Sequence, residues 1–160
     1  MEKQISNHAA VAKLIRQFMK AEGMNGRVTS DSYAGGNSVH VSVEDMAPEQ
    51  KAKLEAHANQ YQYGHFDGMT DCYEYSNSRK DIPQVKFVFV ENRPSAEMRQ
   101  KIWDFAVGYF NGMEGAPSDA AEACHFRNEN WQQYGDQMIW MLFNGAYKEF
   151  WQHQAQQKAA

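Results

Sequence analysis

The stretch Ser38-Val39-His40-Val41-Ser42-Val43 decides the fold of this chain. Its valines alternate with serine and histidine, so that one side of an extended chain is apolar and the other is polar. This alternation is typical of a β-strand with one buried face. The preceding Gly35-Gly36-Asn37 supplies residues that adopt positive φ angles, as a hairpin turn requires. Because Arg27–Tyr33 precedes that turn, the sequence predicts a β-hairpin over residues 27–43.

Helices are predicted on both sides of the hairpin. Residues His8–Glu22 place apolar side chains at spacings of three and four, which makes one helical stripe. Residues Pro48–Tyr61 carry a thinner stripe and begin with a proline, which suits a first turn. A further strand is expected over Gln84–Val90, which is rich in β-branched and aromatic residues. We therefore predict an α+β fold with a small, mainly antiparallel sheet, and with the N-terminal helix and other helices packed on one face.

The remainder of the chain is predicted to be helical. Helices are expected over Ser95–Phe110, over a short segment at 117–127, and over Asn130–Gln152. We expect one domain over residues 1–160, with a helix-hairpin-helix-strand unit at 8–92, a helical extension at 93–153 and a frayed tail at 154–160. Trp140, Tyr147 and Trp151 lie beside the core stripe of the last helix. Burial is the favoured interpretation of these three rings, and an interface is the alternative.

Composition restricts the classes of function. The chain has 160 residues and a net charge of −4, from 16 Lys and Arg against 20 Asp and Glu. That balance disfavours sequence-independent binding to nucleic acid, which needs a basic face. Two cysteines do not make a disulfide framework, the N-terminus lacks a signal peptide, and no run approaches the ~20 apolar residues of a membrane span. We therefore expect a cytoplasmic protein without a membrane partner.

The segment Tyr63–Tyr75 concentrates aromatic, acidic, histidine, cysteine and glycine residues in thirteen positions. A turn that enters a strand is the favoured interpretation, because Asp-Gly is typical of turns and free cysteines usually pack in cores. The alternative is a small metal-dependent or acid–base enzyme centred on His65, Asp67 and Asp71. His40, Cys72, Cys124 and His125 are its further candidate groups. No metal-binding spacing or catalytic signature is present, so we predict no catalytic residue, metal or cofactor.

Two kinds of macromolecular partner fit the aromatic content. Tyrosine and tryptophan anchor protein interfaces, so a protein partner is favoured, and a second copy bound through the C-terminal helix is an alternative. The other hypothesis is a nucleic-acid-binding module, in which bases stack on the hairpin and sheet beside a few cations. The candidate binding residues are Asp31, Tyr33, Asn37, His40, Tyr63, His65, Asp67, Asp71, Tyr73, Trp140, Tyr147 and Trp151. The base-stacking hypothesis includes Tyr75 as a further ring. Its candidate cations are Arg27, Arg79, Lys80 and Lys86.

Two segments together carry a family resemblance. Ser30-Asp31-Ser32-Tyr33-Ala34-Gly35-Gly36-Asn37-Ser38-Val39-His40-Val41, followed by Tyr63-Gly64-His65-Phe66-Asp67-Gly68-Met69-Thr70-Asp71-Cys72-Tyr73-Glu74-Tyr75-Ser76-Asn77, resembles the large polyvalent protein associated domain 29. The resemblance covers about residues 8–92. It implies a domain found in proteins of phages, plasmids and conjugative elements, with no defined reaction. It thus favours a non-enzymatic accessory protein that binds a macromolecule, with inhibition of a host defence system as one such role.

Overall fold

The computed structural model describes residues 5–109, 134–146 and 148–160. The chain divides into two compact units, one made of residues 1–44 and 49–93 and the other of 45–48 and 94–160. The strands are β1 (Arg27–Tyr33), β2 (Gly36–Glu44), β3 (His65–Asp67), β4 (Cys72–Glu74) and β5 (Phe87–Arg93). The helices are α1 (Asn7–Ala21), α2 (Pro48–Asn59), α3 (Ala96–Tyr109), α4 (Tyr134–Phe143) and α5 (Glu149–Ala159). The predicted α+β class is confirmed.

A three-stranded sheet with the order β1-β2-β5 forms the centre of the first unit. Strands β1 and β2 make the predicted antiparallel hairpin, in which Tyr33 lies opposite Gly36. The turn is therefore Ala34–Gly35, and Gly35 has a φ of 91° that other residues adopt only with strain. Strand β5 pairs with β2 in parallel, since helix α2 intervenes between the two strands in sequence. Strands β3 and β4 form a separate antiparallel pair, so two of the three strand pairings are antiparallel.

Helix α1 packs against β1 and β2 and supplies the core of the first unit. The valines of the hairpin repeat face this helix, as their alternation predicts. The fully buried side chains of this core are Val11, Ala12, Ile15, Val39, Leu54, Ala58 and Val85. Helix α1 ends at Ala21; Gly23 follows with a φ of 67°, and the Met24 amide donates to the Met19 carbonyl at 2.8 Å. A glycine in the left-handed conformation is a common end of an α-helix.

Strand β5 begins later than predicted, at Phe87 instead of Gln84. Gln84 is buried, and its side-chain amide donates to the carbonyls of Gln60 and Asn77, both at 2.9 Å. Val85 is buried and makes one isolated bridge with Gln62. Gln84 and Val85 thus anchor the loop that precedes β5, because their polar groups make hydrogen bonds outside the three-stranded sheet.

The second unit contains α3, α4 and α5, with α3 packed on α4. Its buried core consists of Ile102, Trp103, Ala106, Ile139, Leu142, Phe143 and Phe150. The prediction of a single helix over 130–152 is wrong, because the helix is interrupted between α4 and α5. Gly145 has a φ of 77°, and the Ala146 amide donates to the Met141 carbonyl at 2.9 Å, which ends α4.

The ends of the second unit's helices also bear on the sequence predictions. Helix α5 continues to Ala159, through most of the segment 154–160 that was expected to be frayed. The short helix predicted at 117–127 lies outside the described residues. Among the residues that are described, no helix combines the length and the hydropathy needed to cross a membrane.

Ser95 caps helix α3. Its hydroxyl oxygen accepts a hydrogen bond from the Met98 amide at 3.1 Å. The same hydroxyl donates to Asp45 Oδ2 at 2.6 Å, and the Ser95 amide donates to Asp45 Oδ1 at 2.7 Å. Asp45 has a φ of 54°, a strained conformation for a residue other than glycine. The two bonds to Ser95 offset part of that strain and fix the start of α3.

Candidate functional site

The β3–β4 pair is built around the turn that the sequence predicts. Asp67 Oδ1 accepts a hydrogen bond from the Met69 amide at 2.9 Å, and Asp67 Oδ2 accepts one from the Thr70 hydroxyl at 2.9 Å. These bonds lower the pKa of the Asp67 carboxyl, chiefly through the Met69 amide. Asp71 completes the turn with a φ of 53°. Both oxygens of Asp67 are thus occupied in shaping the chain.

The groups of the alternative enzyme have separate partners. His65 Nδ1 lies 3.0 Å from Ser76 Oγ, and His65 Nε2 lies 3.5 Å from Glu74 Oε2. His40 Nε2 lies 3.1 Å from Ser38 Oγ, on β2. Cys72 is an exposed free thiol, so the expectation that this cysteine packs in the core is wrong. Within the described part of the chain, no three His, Cys, Asp or Glu side chains are placed to hold a metal ion, and Cys124 and His125 lie outside it.

An aromatic ribbon runs from the open face of the sheet onto the β3–β4 pair. It is defined by six residues: His40, Phe89, Phe87, Tyr73, Tyr63 and Tyr75. On the sheet, the His40 and Phe89 rings stack with centroids 4.8 Å apart, and the Phe89 and Phe87 rings stack at 5.8 Å. This arrangement follows from the register, since His40 lies opposite Phe89 and Ser38 lies opposite Phe87.

The tyrosines continue the ribbon beyond the sheet. The Tyr73 ring meets Phe87 edge to face at 5.5 Å, Tyr63 at 5.7 Å and Tyr75 at 5.4 Å. Tyr63 and Tyr75 stack on each other at 5.5 Å, with their planes only 7° apart. Offset and edge-to-face pairs at these distances are the favoured geometries of aromatic rings. The six rings therefore form one continuous row.

Tyr73 is the central residue of the ribbon. Its hydroxyl donates to the Lys86 carbonyl at 2.5 Å, which attaches β4 to the start of β5. Burial, followed by the neighbouring hydroxyls of Tyr63 and Tyr75, raises the pKa of Tyr73 to about 12. A side chain at Gly64 would overlap the Glu74 carbonyl oxygen and the Tyr73 ring. Glycine is therefore required at position 64 for β4 to approach this closely.

Solvent reaches part of the ribbon. The side chain of Phe89 is 43% exposed and that of Tyr75 is 69% exposed. Large aromatic side chains are usually withdrawn from water, so a row of rings left this open is informative about function. No described side chain covers these two rings enough to account for them as core.

The open face of the sheet has a distinctive composition outside the ribbon. Apart from the ribbon and Tyr33, the exposed positions of β1, β2 and β5 on this face carry polar or charged side chains: Arg27, Thr29, Asp31, Ser42, Glu44, Glu91 and Arg93. The apolar side chains there are aromatic, with no aliphatic residue among them. Such a surface offers rings in polar surroundings instead of a continuous apolar patch.

Positive charge lies along the ribbon. Lys86 Nζ is 5.3 Å from the centroid of the Tyr73 ring and 5.7 Å from that of Phe87, within the range of cation–π contact. It also donates to the Gly35 carbonyl at 3.1 Å. At the far end, an open cleft of about 660 Å³ is lined by Tyr63 and Tyr75 together with Arg79 and Lys80.

The structure brings together some of the predicted site residues and separates others. His40, Tyr63 and Tyr73 belong to the ribbon. Tyr33 is 45% exposed, and its hydroxyl contributes to the raised pKa values of both Tyr63 and Tyr73. Asn37 Oδ1 accepts from the Lys86 amide at 2.9 Å, and therefore positions β5.

Other candidates do not belong to the ribbon. Asp31 is exposed and accepts a bond from the Ser32 amide at 2.8 Å. In the second unit, Trp151 Nε1 donates to the Phe143 carbonyl at 3.0 Å, and its ring packs on the core. Trp140 is 65% exposed, and Tyr147 lies outside the described residues. The predicted burial is therefore wrong for Trp140, which lies on α4, whereas Trp151 lies on α5 and packs on the core.

Sequence reasoning missed Phe87 and Phe89, which join the two halves of the ribbon. The available signal was their spacing of two in Phe87-Val88-Phe89-Val90, which places both rings on one side of a strand. That spacing does not reveal which side the fold leaves open to solvent.

Comparison with known proteins places most of the first unit in a family. Neither the curated proteins nor the solved structures contain a significant match to the chain. A family match covers residues 6–95, which include α1, the whole sheet and the entire ribbon. That family supports an association with phages and other mobile genetic elements. The chain belongs to the family of large polyvalent protein associated domain 29.

Proposed function

We propose that this protein is a non-enzymatic accessory factor of a phage, plasmid or conjugative element, and that it acts by binding a macromolecule through the aromatic ribbon. The family supports the setting in a mobile element. The binding role rests on one observation, the connected series of six aromatic rings in which Phe89 and Tyr75 are exposed.

The energetics of the ribbon favour recognition over stability. An exposed aromatic ring contributes less to folding than a buried one, because most of its apolar surface remains in water. The same ring contributes strongly when a partner covers it, and aromatic residues dominate the binding energy of interfaces. A folded domain gains little from leaving Phe89 and Tyr75 open, whereas a binding surface depends on such rings.

The process affected is, in this proposal, a host defence system that acts against the element. An accessory factor that binds tightly can inhibit such a system without chemistry of its own. The expected phenotype is a higher efficiency of phage plating or plasmid establishment in a host that carries the defence system, and no change in a host that lacks it. Equal efficiencies with and without the protein would contradict this part of the proposal.

The binding role is tested by affinity capture with the tagged chain from host cells that carry the element. Proteins and nucleic acids in the eluate are both identified. We expect stoichiometric recovery of one macromolecule by the wild type and its loss with Phe89→Ala, while Trp140→Ala recovers the wild-type amount. Recovery of no macromolecule, or equal recovery by Phe89→Ala, would overturn the proposal.

A further inference from the structure

We propose that the aromatic ribbon binds single-stranded nucleic acid, with bases stacked on its rings and the backbone following the adjacent cations. This inference rests on the proposed binding role of the ribbon and names the class of its partner. The geometry that carries it is the stacked series His40, Phe89 and Phe87 on an open sheet, continued by Tyr73, Tyr63 and Tyr75.

The rings meet the first requirement of a single-strand platform. Proteins that bind single strands present aromatic side chains on which successive bases stack, commonly from the face of a small sheet. Here Phe87 and Phe89 lie two residues apart on β5, with His40 beside Phe89 on β2. The side chain of Phe89 is 43% exposed and His40 is also exposed, so a base has access to this end of the row.

Charge does not oppose this partner in the first unit. Residues 1–44 and 49–93 contain eleven basic and eleven acidic residues, so the unit that carries the ribbon is neutral. The net charge of −4 belongs to the rest of the chain. The net charge of the whole chain is therefore no argument against binding of nucleic acid to the first unit.

Two lysines lie beside the rings, where they can contact the phosphates of a strand whose bases stack on the ribbon. Lys86 lies over Tyr73 and Phe87 in the middle of the ribbon, and Lys80 lines the cleft beside Tyr63 and Tyr75. Among described residues, no carboxylate is within ion-pair distance of Lys86 or Lys80. Two acidic groups nearby have arginine partners, since Glu91 pairs with Arg93 at 2.8 Å and Asp81 pairs with Arg79.

The composition of the open face distinguishes nucleic acid from a protein partner. Protein interfaces are enriched in methionine and arginine as well as in aromatic residues, and are depleted of serine, aspartate and glutamate. On this face the apolar groups are aromatic, and serine, threonine and charged side chains separate them. Rings in polar surroundings suit bases, which stack by their faces and make hydrogen bonds by their edges.

The test is fluorescence anisotropy of the full chain with labelled pyrimidine oligonucleotides of about 12 nucleotides, as DNA and as RNA, a length within known platform site sizes. A duplex of the same length is the comparison. We expect the single strands to bind and the duplex to bind more weakly. Phe89→Ala should weaken single-strand binding on the order of tenfold, which is the loss of one stacked base.

Matched variants separate stacking from a general disturbance. Phe89→Tyr keeps an aromatic ring and should keep the wild-type affinity, and Trp140→Ala should also leave affinity unchanged. His40→Ala removes an exposed ring and provides the same readout if Phe89→Ala fails to fold by circular dichroism. With about two phosphate contacts, the slope of log affinity against log salt should be about −1.4, and Lys86→Gln should make it shallower by about 0.7.

Three results would overturn the inference: no binding of either single strand, equal binding of the duplex, or unchanged affinity in folded Phe89→Ala and His40→Ala. The result also separates this inference from the broader proposal. If capture from cells yields a protein that depends on Phe89 and the oligonucleotides do not bind, the ribbon is a binding surface for protein and the present inference fails.

Discussion

The Tyr73 hydroxyl donates a hydrogen bond to the Lys86 carbonyl at 2.5 Å, which joins the short β3–β4 pair to the central sheet. The same Tyr73 ring contacts Phe87 at 5.5 Å, and Lys86 Nζ lies 5.3 Å above it. Tyr73 thus attaches the β3–β4 pair to the sheet. Its ring also lies in the middle of the ribbon, beside the Lys86 ammonium group.

Tyr73→Phe removes this hydrogen bond and keeps the ring. We expect the free energy of unfolding to fall by about 1 kcal/mol, because the Lys86 carbonyl loses its donor in a partly buried place. Urea unfolding followed by circular dichroism measures the change. Tyr75→Phe is the matched control, since Tyr75 is 69% exposed and should tolerate the loss of its hydroxyl. Equal stability of both variants would show that the bond is unimportant.

Gly64→Ala is expected to disrupt the β3–β4 pair. The new methyl group would overlap the Glu74 carbonyl oxygen and the Tyr73 ring, so β4 has to move. Overpacking of this kind costs about 1–3 kcal/mol of stability. Gly68→Ala is the control, because nothing lies within 4 Å of the position its methyl group would occupy. Thermal unfolding should separate the two variants, and a Gly64→Ala protein as stable as Gly68→Ala would refute the packing described here.

The raised pKa of Tyr73 predicts a loss of stability in alkali. Burial favours the neutral phenol, so its pKa is about 12 in the fold against an ordinary value of 10.0. The corresponding stabilisation is complete below about pH 10 and is lost as pH rises toward about 12. Wild type and Tyr73→Phe are therefore compared by urea unfolding across this range. We expect the wild type to lose stability faster than the variant, and parallel curves would be inconsistent with a raised pKa.

Ser95→Ala should destabilise the second unit. The substitution removes the cap of α3 and leaves Asp45 Oδ2 without its hydroxyl donor, whereas Asp45 Oδ1 still accepts from the backbone amide of residue 95. Loss of such a cap costs about 1–2 kcal/mol. The free energy of unfolding is measured with Ser78→Ala as the control, a substitution in an exposed loop. A Ser95→Ala protein with unchanged stability would argue against the cap.

Calorimetry of the same variant tests the expected single-domain organisation. If residues 1–160 unfold as one domain, Ser95→Ala lowers the temperature of one common transition. Two separate transitions, of which only one shifts, would indicate that the two compact units unfold independently.

The hairpin, the turn at Asp67 and the end of α1 were predictable because local patterns determine them. Alternating valines, an Asp-Gly turn and Gly23 each act within a few residues. The interruption of the helix at Gly145 was not predicted, because apolar residues at helical spacing are found both before and after this glycine. There a single residue with a positive φ overrides the periodicity.

The ribbon could be predicted only in part, because its continuity is a tertiary property. Tyr63, Tyr73 and His40 were recognisable as candidates from their own segments. Phe87 and Phe89 connect them only once β5 has paired with β2 in parallel and left one face of the sheet open. No local pattern around β5 specifies that pairing, since a strand of this composition fits either face equally well.

The most direct test of the ribbon as a surface that binds single-stranded nucleic acid is the change in backbone amide NMR shifts when the single-stranded pyrimidine oligonucleotide is added to the isotope-labelled chain. We predict that the largest changes occur at His40, Tyr73, Phe87 and Phe89. Ile139 and Leu142, in the core of the second unit, should not change. Changes confined to the second unit, or saturating oligonucleotide with no change along the ribbon, would contradict this account.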